Sequence, residues 1–267
     1  MLRVFRSNAL AWLAVMALGA CARSGPEPVS PSPDAGQTVS QTASPEVIDS
    51  LWETAQRDFR HGDWSDAALN FERLLLEFRR GDSRIPKAHF FLGESYFAMN
   101  DQLRAVREFR NVSDESPNDV LAPDALLRLG DAFRDLWRRP ELDPSYGQSA
   151  LGVYRELTNR YPASDAAKTA QVRITELENW FATKDYKAAI FYLKFDAYDS
   201  AIIYLKGLAA AYPRASITPR ALVKLVEAYQ ELGYQEDESE TCGYLRQYHP
   251  DYEGTREYCP VPAVPST

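Results

Sequence analysis

The chain has 267 residues, 45% of them hydrophobic and 25% charged, the balance of a folded soluble protein with length for one large domain or an extended repeat array. The formal net charge is −8, and the basic residues are scattered rather than clustered, which excludes the electrostatic footprint of a nucleic-acid binder.

Residues 1–20 carry Arg3 and Arg6, then an uninterrupted apolar run from Ala9 to Leu18. That run is too short for a hydrocarbon core of ~30 Å, which needs ~20 residues, so it reads as a secretory signal. It ends in Leu18-Gly19-Ala20-Cys21, which resembles a lipobox and makes Cys21 the candidate lipid attachment site. The alternative is an ordinary signal with a chance cysteine; the small residues at 19 and 20 favour lipidation. Several acyl chains on one cysteine give a stable anchor where a single chain binds marginally. Ala22 is non-acidic, which resembles outer-membrane rather than inner-membrane cargo. Residues 21–43 are rich in Pro and Ser and poor in large apolar side chains, a lipidated, disordered linker with a span of roughly 25 Å.

From Ser44 to His249 the chain reads as successive helices, with no period-2 alternation of a strand. Pro45, Pro86, Pro123 and Pro219 mark first turns, and Ser44 and Ser164 stand at N-cap positions. The helices pair, and the pairs repeat. Leu92-Gly93-Glu94-Ser95-Tyr96 is followed by Ala105, Phe109 and Pro117; Leu129-Gly130-Asp131-Ala132-Phe133 by Ala150, Tyr154 and Pro162. Ala189 and Tyr192 lead to Ala201, Leu205 and Pro213; Val226 and Tyr229 begin a last unit closed by Pro250; and Ala55, Ala67 and Phe71 make a first, less regular copy. Ala55 to Gly93 is 38 residues, Gly93 to Gly130 and Ala189 to Val226 are each 37, and the step from first-helix to second-helix small residue is 12 in three units. This resembles the tetratricopeptide pattern. A small residue on each helix lets the axes approach, and an aromatic one turn later fills the gap toward the next unit.

The pattern predicts an all-α fold, a right-handed solenoid of about five tetratricopeptide helix pairs between the tether and a short C-terminal tail. Repeats one to three fall in 44–163, repeats four and five in 164–252, and the tail in 253–267. Repeat three carries eight extra residues around Arg139–Pro144. Ser164 to Phe195 is either one long helix or two with a kink near Trp180. Glu238 stands where the last repeat should have alanine.

The run from Phe181 through Tyr192 to Tyr204, closing in Ala211-Tyr212-Pro213, resembles the BamD family, the tetratricopeptide lipoproteins of the outer-membrane β-barrel assembly machine. The lipobox, the five repeats and the long insertion before repeat four extend the likeness over residues 18–252. Phe181 and Asp185 are mild departures, where the family has Leu and Glu, and Glu238 weakens any residue-by-residue transfer of contacts in the last repeat. The resemblance implies a lipid-anchored scaffold on the periplasmic face of the outer membrane. Its partners would be the barrel-forming subunit, companion lipoproteins and unfolded outer-membrane protein clients. The alternative is a periplasmic repeat adaptor of cell division, which Ala122–Gly130 also resembles; no coiled-coil heptad run supports it.

Catalytic and cofactor signatures are wanting. His61, His89 and His249 lie in different repeats without metal-ligand spacing, and no phosphate loop, nucleophile elbow or C-x-x-C occurs, so neither an enzyme, a metal site nor a cofactor is expected. A peptide-tail reader of the chaperone-adaptor type would need a Lys and Asn clamp, whereas the groove positions here are largely aromatic. Cys242 and Cys259 are candidates for a disulfide in an oxidising compartment; the alternative is a small buried Cys242 and a free Cys259. Stepping three back and four forward from each first-helix small residue gives Trp52 and Phe59, Phe90 and Phe97, then Leu127 and Arg134. Either these form an aromatic peptide groove or they are ordinary packing. The equivalent positions further on, Tyr186, Leu193, Val223 and Gln230, suggest that the strip fades.

Overall fold

The computed structural model describes residues 43–260, which form eleven helices and, within that span, no strand. Cys21, the signal segment and nearly all of the linker lie outside these residues, as does the end of the tail. Five helix pairs follow in order: α1 (Pro45–His61) with α2 (Trp64–Glu77), α3 (Ile85–Ala98) with α4 (Gln102–Glu115), and α5 (Ala122–Leu136) with α6 (Ser145–Arg160). Then come α7 (Asp165–Leu193) with α8 (Tyr198–Ala211), and α9 (Thr218–Leu232) with α10 (Gln235–Tyr248). Each helix packs on its neighbours in the chain, and α7 also touches the first helices α5 and α9 on either side, so the pairs stack as a solenoid.

Proline stands in the first turn of α1, α3, α5 and α9, where its missing N–H costs nothing. Ser164 caps α7 by accepting the Ala167 amide at 3.1 Å. Ser44 precedes α1 but its side chain makes no such bond; the nearby hydroxyl instead holds the Glu46 carboxyl below its usual range. Of the two readings of the segment before repeat four, the single helix is found: α7 runs for 29 residues, about 43 Å at 1.5 Å per residue.

The core is built where the repeat pattern puts small residues. Ala55, Ala67, Ala105, Ala150, Ala189 and Ala201 are fully buried. A Cβ built on Gly93 would lie 2.8 Å from the Phe109 ring of its own pair. One on Gly130 would overlap the Tyr154 ring, whose hydroxyl donates to buried Asp131 at 2.7 Å and cannot easily move. The aromatic therefore covers the glycine of its own pair as well as reaching the next, as Phe71 does toward Phe91 with centroids 5.7 Å apart.

Two clusters of buried side chains result, one from Ile48 to Phe181 and one from Ala182 to Cys259. They join halfway along α7, where the Phe181 and Tyr212 rings stack at 6.1 Å. The eight-residue insertion folds back on the same stretch. Trp137, 1% exposed, packs on Phe181 and Trp180 with centroids at 4.6 and 5.5 Å. Lys184 donates to the Leu142 carbonyl at 3.3 Å, and Lys187 pairs with Glu141.

The expected tail does not begin at 253. Residues Glu253–Tyr258 form a short helix, α11, that lies against α9. Thr255 is buried and donates to the His249 carbonyl at 2.9 Å, and Gly254 leaves no room for a side chain between Tyr252 and Val223.

Gly130→Ala should lower stability even though alanine favours a helix by up to ~1 kcal/mol, because overpacking costs about 1–3 kcal/mol. Gly152→Ala on α6, where a Cβ meets nothing within 4 Å, should instead raise it. Thermal melts of both variants decide this; equal melting temperatures would remove the close-approach argument.

Candidate functional site

The first helices share one face of the array, and ion pairs cross it from helix to helix. Arg84 at the start of α3 meets Asp49 of α1 at 2.7 Å, Arg128 of α5 grips Glu94 of α3, and Arg173 of α7 lies 3.4 Å from Asp131 of α5. Asp131 is the hub: buried, it accepts from Tyr154 and is flanked by Arg128, Arg134 and Arg173 within 3.6 Å. Burial, aided by the Asp131 charge, pushes the Tyr154 hydroxyl far above its ordinary pKa, so it stays a donor.

The six expected groove residues are all half-buried on this face, and they are not gathered into one open strip. Trp52 packs edge-on against Phe71 at 5.8 Å, Phe59 against Trp64 and Phe91 at 5.3 and 4.7 Å, and Phe90 against Phe109 at 5.7 Å. Phe91, not singled out from the sequence, links Phe59, Phe71 and Phe90. The Arg128 guanidinium covers Phe97 at 4.0 Å, and Leu127 leans on the same core. Arg134 lines a cavity of about 600 Å³ where the α3–α4 turn, the end of α5 and α7 meet.

That cavity carries its own chemistry. Leu136, Trp137, Leu177 and Trp180 give it apolar walls, and Arg134, Arg138, Asp135 and Glu176 charge its rim. Two of its lining residues hold buried polar atoms without a partner, the Gln102 Oε1 acceptor and the Trp137 Nε1 donor. Gln102, Trp137 and Trp180 were missed because the insertion and the length of α7 bring them together, and neither follows the repeat spacing.

In the second half, Tyr186, Leu193 and Gln230 line a cavity of about 720 Å³ with Arg220, Lys224 and Tyr258. The face therefore changes from phenylalanine to tyrosine and charge rather than fading, while Val223 is buried behind α11. Tyr258 is held there because Cys259, next to it, is bonded to Cys242 of α10, with Cα atoms 5.2 Å apart.

Among the described residues no three metal-capable side chains cluster. His89 does have a carboxylate partner, which the sequence reading missed: its Nδ1 lies 2.7 Å from Oε2 of Glu108 on α4, a residue 3% exposed. Burial alone would raise the Glu108 pKa, but hydrogen bonds from His89 and Arg107 outweigh it and hold it below the carboxylate range.

The described residues thus form a tetratricopeptide solenoid, with paired charges and half-buried aromatics along the face of its first helices. A family model described as YfiO, outer membrane lipoprotein, matches residues 46–243, and the chain belongs to that family. The outer membrane protein assembly factor BamD of Vibrio cholerae is 29% identical over 230 residues, covering 78% of this chain and 92% of that protein. The same factor of Neisseria meningitidis serogroup A is 24% identical over 231 residues, covering 82% of each. The BamD resemblance read from the sequence is thus met. Of solved structures, a thermophilic tetratricopeptide protein of Thermus thermophilus is similar at a TM-score of 0.36 and 18% identity, over 79% of this chain and 95% of that one. No helix among the described residues is long and apolar enough to cross a membrane.

A carboxylate with a lowered folded pKa adds stability above its unfolded value, and that stability is lost as pH falls through the folded value. Glu108→Gln should cost about 1–3 kcal/mol at neutral pH and flatten the acid limb of the stability curve. Denaturant titrations over roughly pH 3 to 7 test it, and an unchanged acid limb refutes it. For the Cys242–Cys259 bridge, closing a loop of this length stabilises by ~3 kcal/mol on the chain-entropy model. The unfolded, unreduced protein should show no free thiol from this pair, and reduction should lower the melting temperature.

Proposed function

We propose that this protein is a lipid-anchored scaffold of outer-membrane β-barrel assembly, held at the periplasmic face through Cys21. It binds the barrel-forming subunit and companion lipoproteins, and passes unfolded outer-membrane proteins along its inner face. The observation that supports this reading most is the family match spanning residues 46–243, with relatives named as assembly factors over nearly the same length. Scaffolding, without catalysis, is also what an inner face of stacked helices with paired charges can supply.

Within that reading, the N-terminal half serves extended client segments. A peptide offers carbonyl and amide groups to the unpartnered Trp137 donor and Gln102 acceptor if the walls open, while Arg134 and Arg138 attract acidic or carboxylate ends. Trp52, Phe59, Phe90, Phe97 and Leu127 form the flank leading to it. Because Phe90 packs on the buried Phe109 ring, its truncation would damage the core; Phe97 and Arg134 are the better probes.

Crosslinking in cells followed by identification of the partner tests the scaffold role. A barrel-forming outer-membrane subunit is expected, and septal cell-wall enzymes would overturn it. In vitro, Phe97→Ala with Arg134→Gln, which removes the charge without adding a carboxylate beside Asp131, should weaken binding of a terminal barrel-strand peptide roughly tenfold or more while helicity is retained. Unchanged affinity would place these side chains among packing residues only.

Cys21→Ser tests the anchor independently. The variant should accumulate as soluble or uncleaved precursor; fractionation with outer membrane after high-salt washing would show that lipid is not what holds it.

A further inference from the structure

A different surface, on the second helices of the last two repeats, has no role in the function proposed above. Glu238 stands twelve residues after Val226, where Ala67, Ala105 and Ala201 of other pairs are fully buried. A carboxylate cannot be sunk unpaired between two helices. Glu238 stays half-exposed, accepting from Gln230 at 2.8 Å, and α10 buries only Cys242 and Leu245. Separately, between α8 and α10 lies a groove of about 470 Å³, which Glu238 itself does not line. Its floor is apolar, from Leu222 and Leu225; Ala209 and Ala210 leave one wall low, and Thr241 and Tyr244 form the other.

The free face of α10 continues this groove along one stripe. Asp237, Glu240, Thr241, Tyr244 and Tyr248 recur at helical spacing over about 16 Å. Carboxylates occupy one end, joined by Glu236, and two tyrosines in tilted contact, with centroids 4.5 Å apart, occupy the other, 38% and 57% exposed. Acidic residues in a first turn complement the helix dipole. That accounts for Glu236 to Glu238, but not for Glu240, the tyrosines or the apolar floor. Among the described residues the cation lining the groove is Lys206, which lies 3.8 Å from Asp237 and is well exposed, a weak pairing that an incoming group can replace.

We propose that this groove docks a basic amphipathic helix of a partner protein. The apolar face of that helix lies over Ala209 and Ala210 and fills the groove. Its Lys and Arg residues meet Asp237 and Glu240 at one end and the faces of Tyr244 and Tyr248 at the other, where cations are held over rings. A membrane surface carrying anionic lipid is repelled by the same carboxylates, and the chain's own acidic charge disfavours a second copy.

The test uses the full detergent-solubilised protein at physiological salt and a labelled synthetic helical peptide of about 14 residues, with leucine along one face and Lys and Arg flanking it. The basic peptide should bind, and the same peptide with glutamate at the basic positions should not. Asp237→Lys with Glu240→Lys should weaken binding about tenfold or more. Ala209→Trp, or Thr241→Trp if the first disturbs folding by circular dichroism, should remove it by filling the groove. Glu253→Lys, a charge reversal away from the groove, should leave it intact. A photocrosslinker at Tyr244 in cells should capture a Lys- and Arg-rich helical segment. The proposal is overturned if the basic peptide does not bind, binds both tryptophan variants equally, or is matched by the acidic peptide. It also falls if the crosslinker captures lipid, an acidic segment or another copy of this chain.

Discussion

Everything in this molecule depends on how closely two helix axes can approach at one small residue. Gly93 beneath Phe109 and Gly130 beneath Tyr154 set the separation within their pairs, and fully buried alanines do so elsewhere. At that separation the aromatic of the second helix touches both its own first helix and the next pair, so a local constraint becomes a stacking rule. Where the small residue is replaced, as by Glu238, the rule lapses: that side chain stays half-exposed and α10 buries only Cys242 and Leu245. The repeat is thus informative both where it is kept and where it is broken.

Stacking alone does not make one body of five pairs. The two core clusters meet midway along α7, where Phe181 reaches Tyr212. The insertion of repeat three acts there as a strap. It drives Trp137 against Phe181, with Gly147 clearing the space beneath the indole, and ties Glu141 and Leu142 to lysines of α7. Most of the strap's stabilisation comes from burying the indole, because the exposed lysine contacts are worth little. The same wedge shapes the cavity lined by Arg134 and Trp180, so the feature that joins the halves also builds the candidate client site.

What could be read from the sequence was whatever a fixed spacing records. The helix starts at Pro45, Pro86, Pro123 and Pro219, the paired helices and the small-residue contacts all repeat within about 40 residues and left their period in the chain. Contacts made once leave none. The pairing of His89 with Glu108 joins two helices at a point where no other repeat has such a pair, and α11 depends on Thr255 and Gly254 fitting α9. Trp137 could be seen to lie beside an insertion but not to fold back onto α7. The strip through Trp52, Phe59, Phe90 and Phe97 shows the limit of periodicity. It places side chains on a face correctly, yet whether they are open or covered turns on neighbours such as Phe91 and Arg128.

The two long faces of the solenoid differ in how their charges are used. On the inner face nearly every carboxylate near the cavity is already paired: Glu94 with Arg128, Asp131 with three arginines and a tyrosine, Glu176 with Arg134 and Arg173. A ligand entering there must compete with bonds that exist, so a cation arriving at a paired carboxylate brings small net benefit, while an apolar or hydrogen-bonding group meets tryptophan walls and unpartnered atoms. On α10 the carboxylates at Asp237 and Glu240 are nearly unopposed and lie beside exposed tyrosines. There a cation adds an interaction without displacing one. On the proposed reading the inner face would suit backbone and apolar side chains of varied sequence, and α10 one basic partner, so the two occupants would meet different chemistry on different faces of one array.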